Sequence, residues 1–422
     1  MHLTSHRSRR LSTLMSIGVC LALISSCSST SDSSTPDSGA TSDSSATSTT
    51  TSAPIEQSAA SPRLAVSYDG GVLVLDANTL DVVGKTEIDG FTRLNAAGDG
   101  RHVVVSAGDK FKILDTGTWS SAHGDHSHYY TSDPAMTEVE FAADKPGHVV
   151  RHAGKTVLFN DGSGLVEIFD PTQLAKRQPR VETYTTPEAH HGVAVALSDG
   201  TLLTTVGNTE SRNGIVVLDA DRQEILRNEQ CPGVHGEAVA AGEAVVLGCQ
   251  DGLLVYKNGA ITKVQSPDAY GRIGNQAGSE ESDVVLGDYK TDPDAELERP
   301  QRISLTNTVT AELKLVDLGT SYTFRSLGRG PHGEALVLGT DGAIHVIDPG
   351  TGKIVQKIAV IGEWTEPTQW QDPRPALFVS DHTAYVTDPA SKKLFAVNLD
   401  DGTISTQTTL EHTPHELTGV TG

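Results

Sequence analysis

Residues 344–352 read IHVIDPGTG: a β-forming run closed by an aspartate and a proline–glycine turn. A short run of this kind ending on turn formers is a strand entering a tight turn. The unit recurs as VLVLDANTL from Val72, FKILDTGTW from Phe111, VEIFDPTQL from Val166 and IVVLDADRQ from Ile215. It returns as LLVYKNGAI from Leu253, ISLTNTVTA from Ile303 and FAVNLDDGT from Phe395. Eight copies at intervals of roughly 40 to 55 residues, without a long helical pattern between them, match sheets of four strands repeated around an axis.

A second apolar hairpin precedes the copies, as in AVALSDGTLLTTVG from Ala194, AVAAGEAVVLG from Ala238 and ALVLGTDGAI from Ala335. Two hairpins make one four-stranded sheet, and radial packing protects the edges that a long open sheet would present. The expected fold is all-β, an eight-bladed β-propeller. A seven-bladed ring is the alternative, because the sixth copy, from Arg272 to Leu318, is interrupted by the acidic loop TDPDAELERP. Before its outer hairpin the first copy has only LAVSYDGG, one strand short, whereas LEHTPHELTGV from Leu410 reads as an opening strand with nothing after it. Joining the two closes the ring, with the C-terminal strand completing the first blade.

Three segments are expected. Residues 1–27 carry Arg7, Arg9 and Arg10 ahead of the apolar stretch Leu11–Ile24, the pattern of a secretory signal rather than of a membrane span. Ile24-Ser25-Ser26-Cys27 resembles a bacterial lipobox, which makes Cys27 the lipidated residue and membrane anchor. Residues 28–62 are nearly all Ser, Thr, Asp, Ala and Pro, contain no His or Cys, and read as a disordered tether. Residues 63–422 are the propeller. The expected location is outside the cytoplasm, on a membrane-anchored lipoprotein at the cell surface or in the periplasm.

The formal charge is −22 at pH 7, and loss of residues 1–27, with three arginines and no acid, makes it −25. Nucleic acid and anionic lipid surfaces are therefore not expected as partners, and cations and basic protein faces are favoured. Cys20 leaves with the signal, so Cys231 and Cys249 remain beside Cys27. They flank a predicted hairpin and fit a disulfide in an oxidising compartment, whereas two thiolate metal ligands would suit a reducing one.

The chemistry concentrates in histidine. His123 to Tyr130 reads HGDHSHYY, three imidazoles and Asp125 within six residues, a donor set that suits zinc. His126 and His128 are two apart, so an extended chain points both to one face. His191-Gly-Val-Ala, His235-Gly-Glu-Ala and His332-Gly-Glu-Ala align at the starts of predicted innermost strands, and His415-Glu-Leu-Thr falls in the same slot. These four would stand around one mouth of the channel. HGDHSHYY lies in the connection leading into the third blade and is expected to fold toward the same mouth. Glu237 and Glu334, two residues further in, are candidate acceptors fixing imidazole tautomers. His102, His148, His152, His345 and His382 read as structural or surface residues, and His190 and His412 as secondary candidates.

HGDHSHYY, CPGVHGEAVAAGEAVVLGCQDG, GPHGEAL and HTPHELTG together resemble the AztD-type zinc metallochaperones, exported partners of a zinc ABC transporter, over residues 63–422. The resemblance implies a propeller that binds zinc, hands it to the transporter's solute-binding protein, and catalyses nothing. It carries zinc ligation onto His126, His128, His191 and His235 first, then His123, Asp125, His332 and His415. This chain departs from the pattern in a tether without histidine and in its lipobox. A propeller enzyme of the lactonase or dehydrogenase type is a rival, as is a WD-like scaffold with structural histidines. Against the enzyme, the chain has three tryptophans, too few for the docking repeats of quinoproteins, and no Gly-x-Ser-x-Gly elbow.

Overall fold

The computed structural model describes residues 53–422; the signal segment, Cys27 and most of the predicted tether lie outside the described residues. The repeat is explained by its closing residue. Asp76 Oδ1 accepts the backbone N–H groups of Asn78 and Thr79, Asn307 Oδ1 those of Val309 and Thr310, and Asn398 Oδ1 those of Asp400 and Asp401. Asp170, Asp219 and Asp348 do the same work two or three residues ahead. A short side-chain acceptor at this position turns the chain where the strand must end.

Eight sheets with four antiparallel strands each result, one of them extended by the two-residue parallel strand Gly271–Arg272, in a propeller-like, all-β arrangement among the described residues. Numbered in chain order, their first strands are Leu417–Val420, Thr92–Ala96, Pro146–His152, Ala194–Ala196, His235–Ala240, Gln276–Ala277, Leu327–Arg329 and Leu377–Ser380. The first strand of sheet 1 comes from the far end of the chain: Leu417–Val420 pairs antiparallel with Arg63–Tyr68, Leu64 opposite Gly419 and Val66 opposite Leu417. Each sheet packs on its successor, and sheet 8 packs back on sheet 1. Among the described residues, no helix is long and apolar enough to cross a membrane.

The core lies between sheets. Val72 and Val74 of sheet 1 meet Leu94, Val103 and Val105 of sheet 2, while Leu64, Leu73 and Leu75 meet Tyr385 and Leu394 of sheet 8. Second and third strands are buried on both faces and so read as continuous apolar runs; fourth strands, such as Val82–Glu87, are largely exposed.

Two features depart from expectation. Ile55–Gln57, inside the segment read as a disordered tether, is a strand paired with His126–Thr131. HGDHSHYY does not lead into the third sheet. It is a hairpin, Thr118–His123 with His126–Thr131, inserted between the third and fourth strands of sheet 2.

Glu416, just ahead of the C-terminal strand, is buried and takes ion pairs from Arg93 and from the buried Arg325. Removing it strands a buried guanidinium, so Glu416→Ala is expected to cost about 3–5 kcal/mol. Truncation after Leu410, which also leaves Arg63–Tyr68 an open edge, should be more damaging still. A thermal melt unchanged by either would show that the C-terminal strand does not hold sheet 1.

Candidate metal centres

Two groups of three histidines lie close enough to share an ion. They are His148, His191 and His235, and His123, His126 and His128, with one ring nitrogen of each member within 4.8 Å of those of the others.

The first group stands where three neighbouring first strands begin. His235 opens its strand, His191 precedes Ala194–Ala196, and His148 is the third residue of Pro146–His152. The ring centroids lie 5.2 Å apart for His148 and His191, 5.5 Å for His148 and His235, and 5.1 Å for His191 and His235. In each ring Nδ1 faces an acceptor. That of His191 lies 2.5 Å from Asp161 Oδ2, that of His235 2.6 Å from the Gly274 carbonyl, and that of His148 3.4 Å from Glu237 Oε2. A proton held on Nδ1 leaves Nε2 with its lone pair free, the tautomer a metal requires.

Glycine makes these approaches possible at two places. A Cβ on Gly147 would sit 2.1 Å from Asp161 Oδ1, and one on Gly236 would sit 2.5 Å from the Gly274 carbonyl oxygen. Gly236 also adopts φ +70°, within a bulge where His235 and Glu237 oppose Gly248 and Leu247. A matching irregularity falls between Pro146 and Val149. Bulges of this kind re-aim side chains at sheet ends.

The three imidazoles line a cavity of about 620 Å³. Its wall carries Asp161, Glu237, Asp288, Glu298 and Glu366 against Arg93 and Lys290, so its field favours cations. His235 is pushed well below the ordinary imidazole range, by burial first and then by the neighbouring His148. It therefore stays neutral, and available to a metal, at lower pH than an exposed histidine.

The second group is built by hairpin geometry. Gly124, at φ +65°, and Asp125 form a two-residue turn that sets His123 directly opposite His126. Opposed residues share a face, and His128, two further on, shares it as well. His126 Nε2 and His128 Nε2 lie 3.2 Å apart; Asp125 Oδ1 is 3.3 Å from His126 Nδ1. His128 Nδ1 is 2.7 Å from Glu56 Oε1, a carboxylate of the Ile55–Gln57 strand. Arg101 over Trp119 and Trp119 stacked on Tyr130 support the base of the hairpin.

The sequence-predicted set is thus divided. His191 and His235 meet each other but not HGDHSHYY. The hairpin leaves sheet 2 at the end where the first strand Thr92–Ala96 finishes, whereas the first group stands where first strands begin. His332 does not begin a strand: it sits in the turn between Leu327–Arg329 and Ala335–Leu338, beside His382, and its backbone N–H donates to Glu334 Oε2. His415 does precede a first strand, yet joins neither group, and burial followed by the nearby Arg325 lowers its proton affinity. Glu237 serves His148 rather than the histidine of its own strand. His190 uses both nitrogens, on the Glu188 carbonyl and Thr205 Oγ1, and His412 stacks on Tyr68. Cys231 and Cys249 are joined in a buried disulfide.

His148 is the residue that sequence reasoning missed. Counted back from Ala153-Gly154 and Ala241-Gly242, it aligns with Gly236, one place beyond the His235 slot. The remaining signal, Pro-Gly-His opening a first strand, is legible only with the bulge in view.

No protein-family model matches the chain. The zinc chaperone AztD of Citrobacter koseri is 26% identical over 364 residues, which span 83% of this chain and 84% of that protein. Two structures of Citrobacter koseri AztD, one of them apo, superpose with TM-scores of 0.75 and 0.73 at 25% identity. They cover 86% of this chain and 99% and 98% of theirs. The dihydro-haem d1 dehydrogenase NirN, in complex with DHE, shares the fold at TM-score 0.55 and 11% identity, covering 84% of this chain and 74% of its own.

Protons would compete with zinc for imidazole nitrogens, so zinc affinity at the first group should fall as pH is lowered, the His235 contribution persisting to lower pH than that of an exposed histidine. Chelator-competition titrations at descending pH check this, and a flat profile would exclude imidazole ligation. Asp161→Ala, which frees His191 Nδ1, should weaken zinc binding there by about 10- to 100-fold.

Proposed function

We propose that this protein is a zinc metallochaperone, carrying the ion as cargo and releasing it intact to an acceptor protein. The observation that carries the reading is the convergence of His148, His191 and His235, each with Nδ1 facing an acceptor, at the edge of an acidic cavity. Zinc with bonds of about 2.0–2.1 Å needs ring nitrogens roughly 3.3 Å apart. Nitrogens within 4.8 Å of one another lie near that spacing. Three protein donors leave a fourth position toward the cavity, through which an acceptor's own ligand can enter before these leave.

An open fourth position would also serve hydrolytic zinc; similarity to the zinc chaperone AztD over most of both chains favours the carrier. The receiving protein in this reading is the solute-binding protein of a zinc ABC transporter. The eight sheets are the blades of one closed ring, completed in sheet 1 by Leu417–Val420. First strands of such a ring run parallel, so the triad and the HGDHSHYY hairpin mark opposite ends of its channel and are two independent zinc stations. The chain is exported and anchored by lipid on Cys27, at the end of residues 1–27.

Zinc-loaded protein should bind two equivalents. His191→Ala with His235→Ala should remove one, and His126→Ala with His128→Ala the other, both measured by metal analysis after gel filtration. Retention of two equivalents by either double variant would place the cargo elsewhere. A solute-binding protein mixed with the loaded chain should acquire zinc in the presence of a chelator that captures free ion; loss of all zinc to the chelator would overturn direct transfer.

A further inference from the structure

Glu56 lies outside the histidine motif, in a segment whose composition gave no reason to expect structure. Its place follows from register. Ile55, Glu56 and Gln57 pair with Thr131, Tyr130 and Tyr129, so Glu56 shares a face with Tyr130. Residues two apart on a strand share a face, which puts the Glu56 carboxylate diagonally across from His128 and on the side that bears all three imidazoles. The result is the 2.7 Å contact between Glu56 Oε1 and His128 Nδ1, while His128 Nε2 faces His126. The carboxylate is thus on the far nitrogen of a candidate ligand, where it orients the ring and fixes the tautomer that leaves Nε2 to a metal.

The strand that delivers it is held weakly. It is three residues long, Ile55 is 61% exposed, and its other side-chain tie is Gln57 Nε2 donating to Thr131 Oγ1 at 2.9 Å. Short edge strands with few buried contacts open at low free energy.

We infer that docking of the Ile55–Gln57 strand and zinc binding by His123, His126 and His128 are coupled through Glu56. With the strand docked, Glu56 holds His128 ready for metal and the hairpin binds tightly; with the strand detached, affinity falls. Linkage is reciprocal, so zinc on the hairpin must tighten docking of the strand by the same factor. The first station of the chain beyond its N-terminal segment is thereby sensitive to whatever pulls on or covers that segment. The inference rests on the reading that the hairpin histidines take zinc.

The test uses the full chain carrying His191→Ala and His235→Ala, so that the hairpin alone reports, with Zn²⁺ as the probe. Glu56→Ala should weaken hairpin binding by about 10- to 100-fold, and Glu56→Gln, which keeps an acceptor oxygen, should recover part of it. In the parent, zinc should slow hydrogen exchange at the backbone amides of Ile55–Gln57 by a comparable factor, and His126→Ala with His128→Ala should abolish that slowing. Zinc binding that is unaltered by Glu56→Ala, or exchange that ignores zinc, overturns the coupling while leaving the hairpin a metal site. Absence of any hairpin zinc in the parent overturns both.

Discussion

An imidazole can give a metal only the nitrogen that the protein leaves free. In five of the six clustered histidines Nδ1 faces an oxygen: Asp161 for His191, Gly274 for His235, Glu237 for His148, Asp125 for His126 and Glu56 for His128. Everything else in the two centres follows from that constraint. His190, by contrast, uses both nitrogens, on Glu188 and Thr205, and lies buried. Each acceptor comes from a different element than its histidine, Asp125 alone excepted, so the fold as a whole sets the coordination geometry.

The architecture suits that task because neighbouring sheets start side by side. The first strands of sheets 3, 4 and 5 supply or immediately follow one histidine each, and their spacing, fixed by packed Val, Leu and Ile side chains between sheets, becomes the spacing of the rings. Bulges at Gly147–His148 and Gly236 then make the final adjustment. The buried disulfide between Cys231 and Cys249 ties the approach to His235 to the residue after its register partner Gly248, and the Ile273 N–H donates to the Cys249 carbonyl one residue before the Gly274 acceptor.

The strand-and-turn unit was readable because a closing Asp or Asn performs one local job wherever it occurs, and the incomplete first unit pointed to the C-terminal strand. Side-chain direction was less readable. His-Gly-Glu at 235–237 opens a strand through a bulge, whereas at 332–334 the same letters form a turn in which Gly333 takes φ +84° and Glu334 accepts the His332 N–H. Three residues cannot specify which, since the choice is made by what precedes them: a disulfide-bound loop in one case, a short first strand in the other. HGDHSHYY showed its own cluster plainly, but its place in the sheet order depended on which strand the chain pairs with next, a long-range event between Ala135–Ala142 and Lys110–Asp115. Glu56 gave no signal at all, because a three-residue strand in a polar segment has no pattern of its own.

The donor chemistry bears on how cargo leaves. Three imidazoles would bind zinc as neutral ligands, and the charge of the ion would be offset by carboxylates one contact further out, Asp161 and Glu237 among them, rather than in the coordination sphere. A thiolate cage would hold the ion more tightly, and its ligands would have to regain protons once the metal left. Neutral ligands need none. Burial reinforces this at His235 by disfavouring its imidazolium, so the emptied site returns to its starting charge without drawing a proton. Ligand exchange with an incoming donor through the cavity would then require only that the new bond form as an old one lengthens, with the acidic wall opposing escape of the cation while it does so.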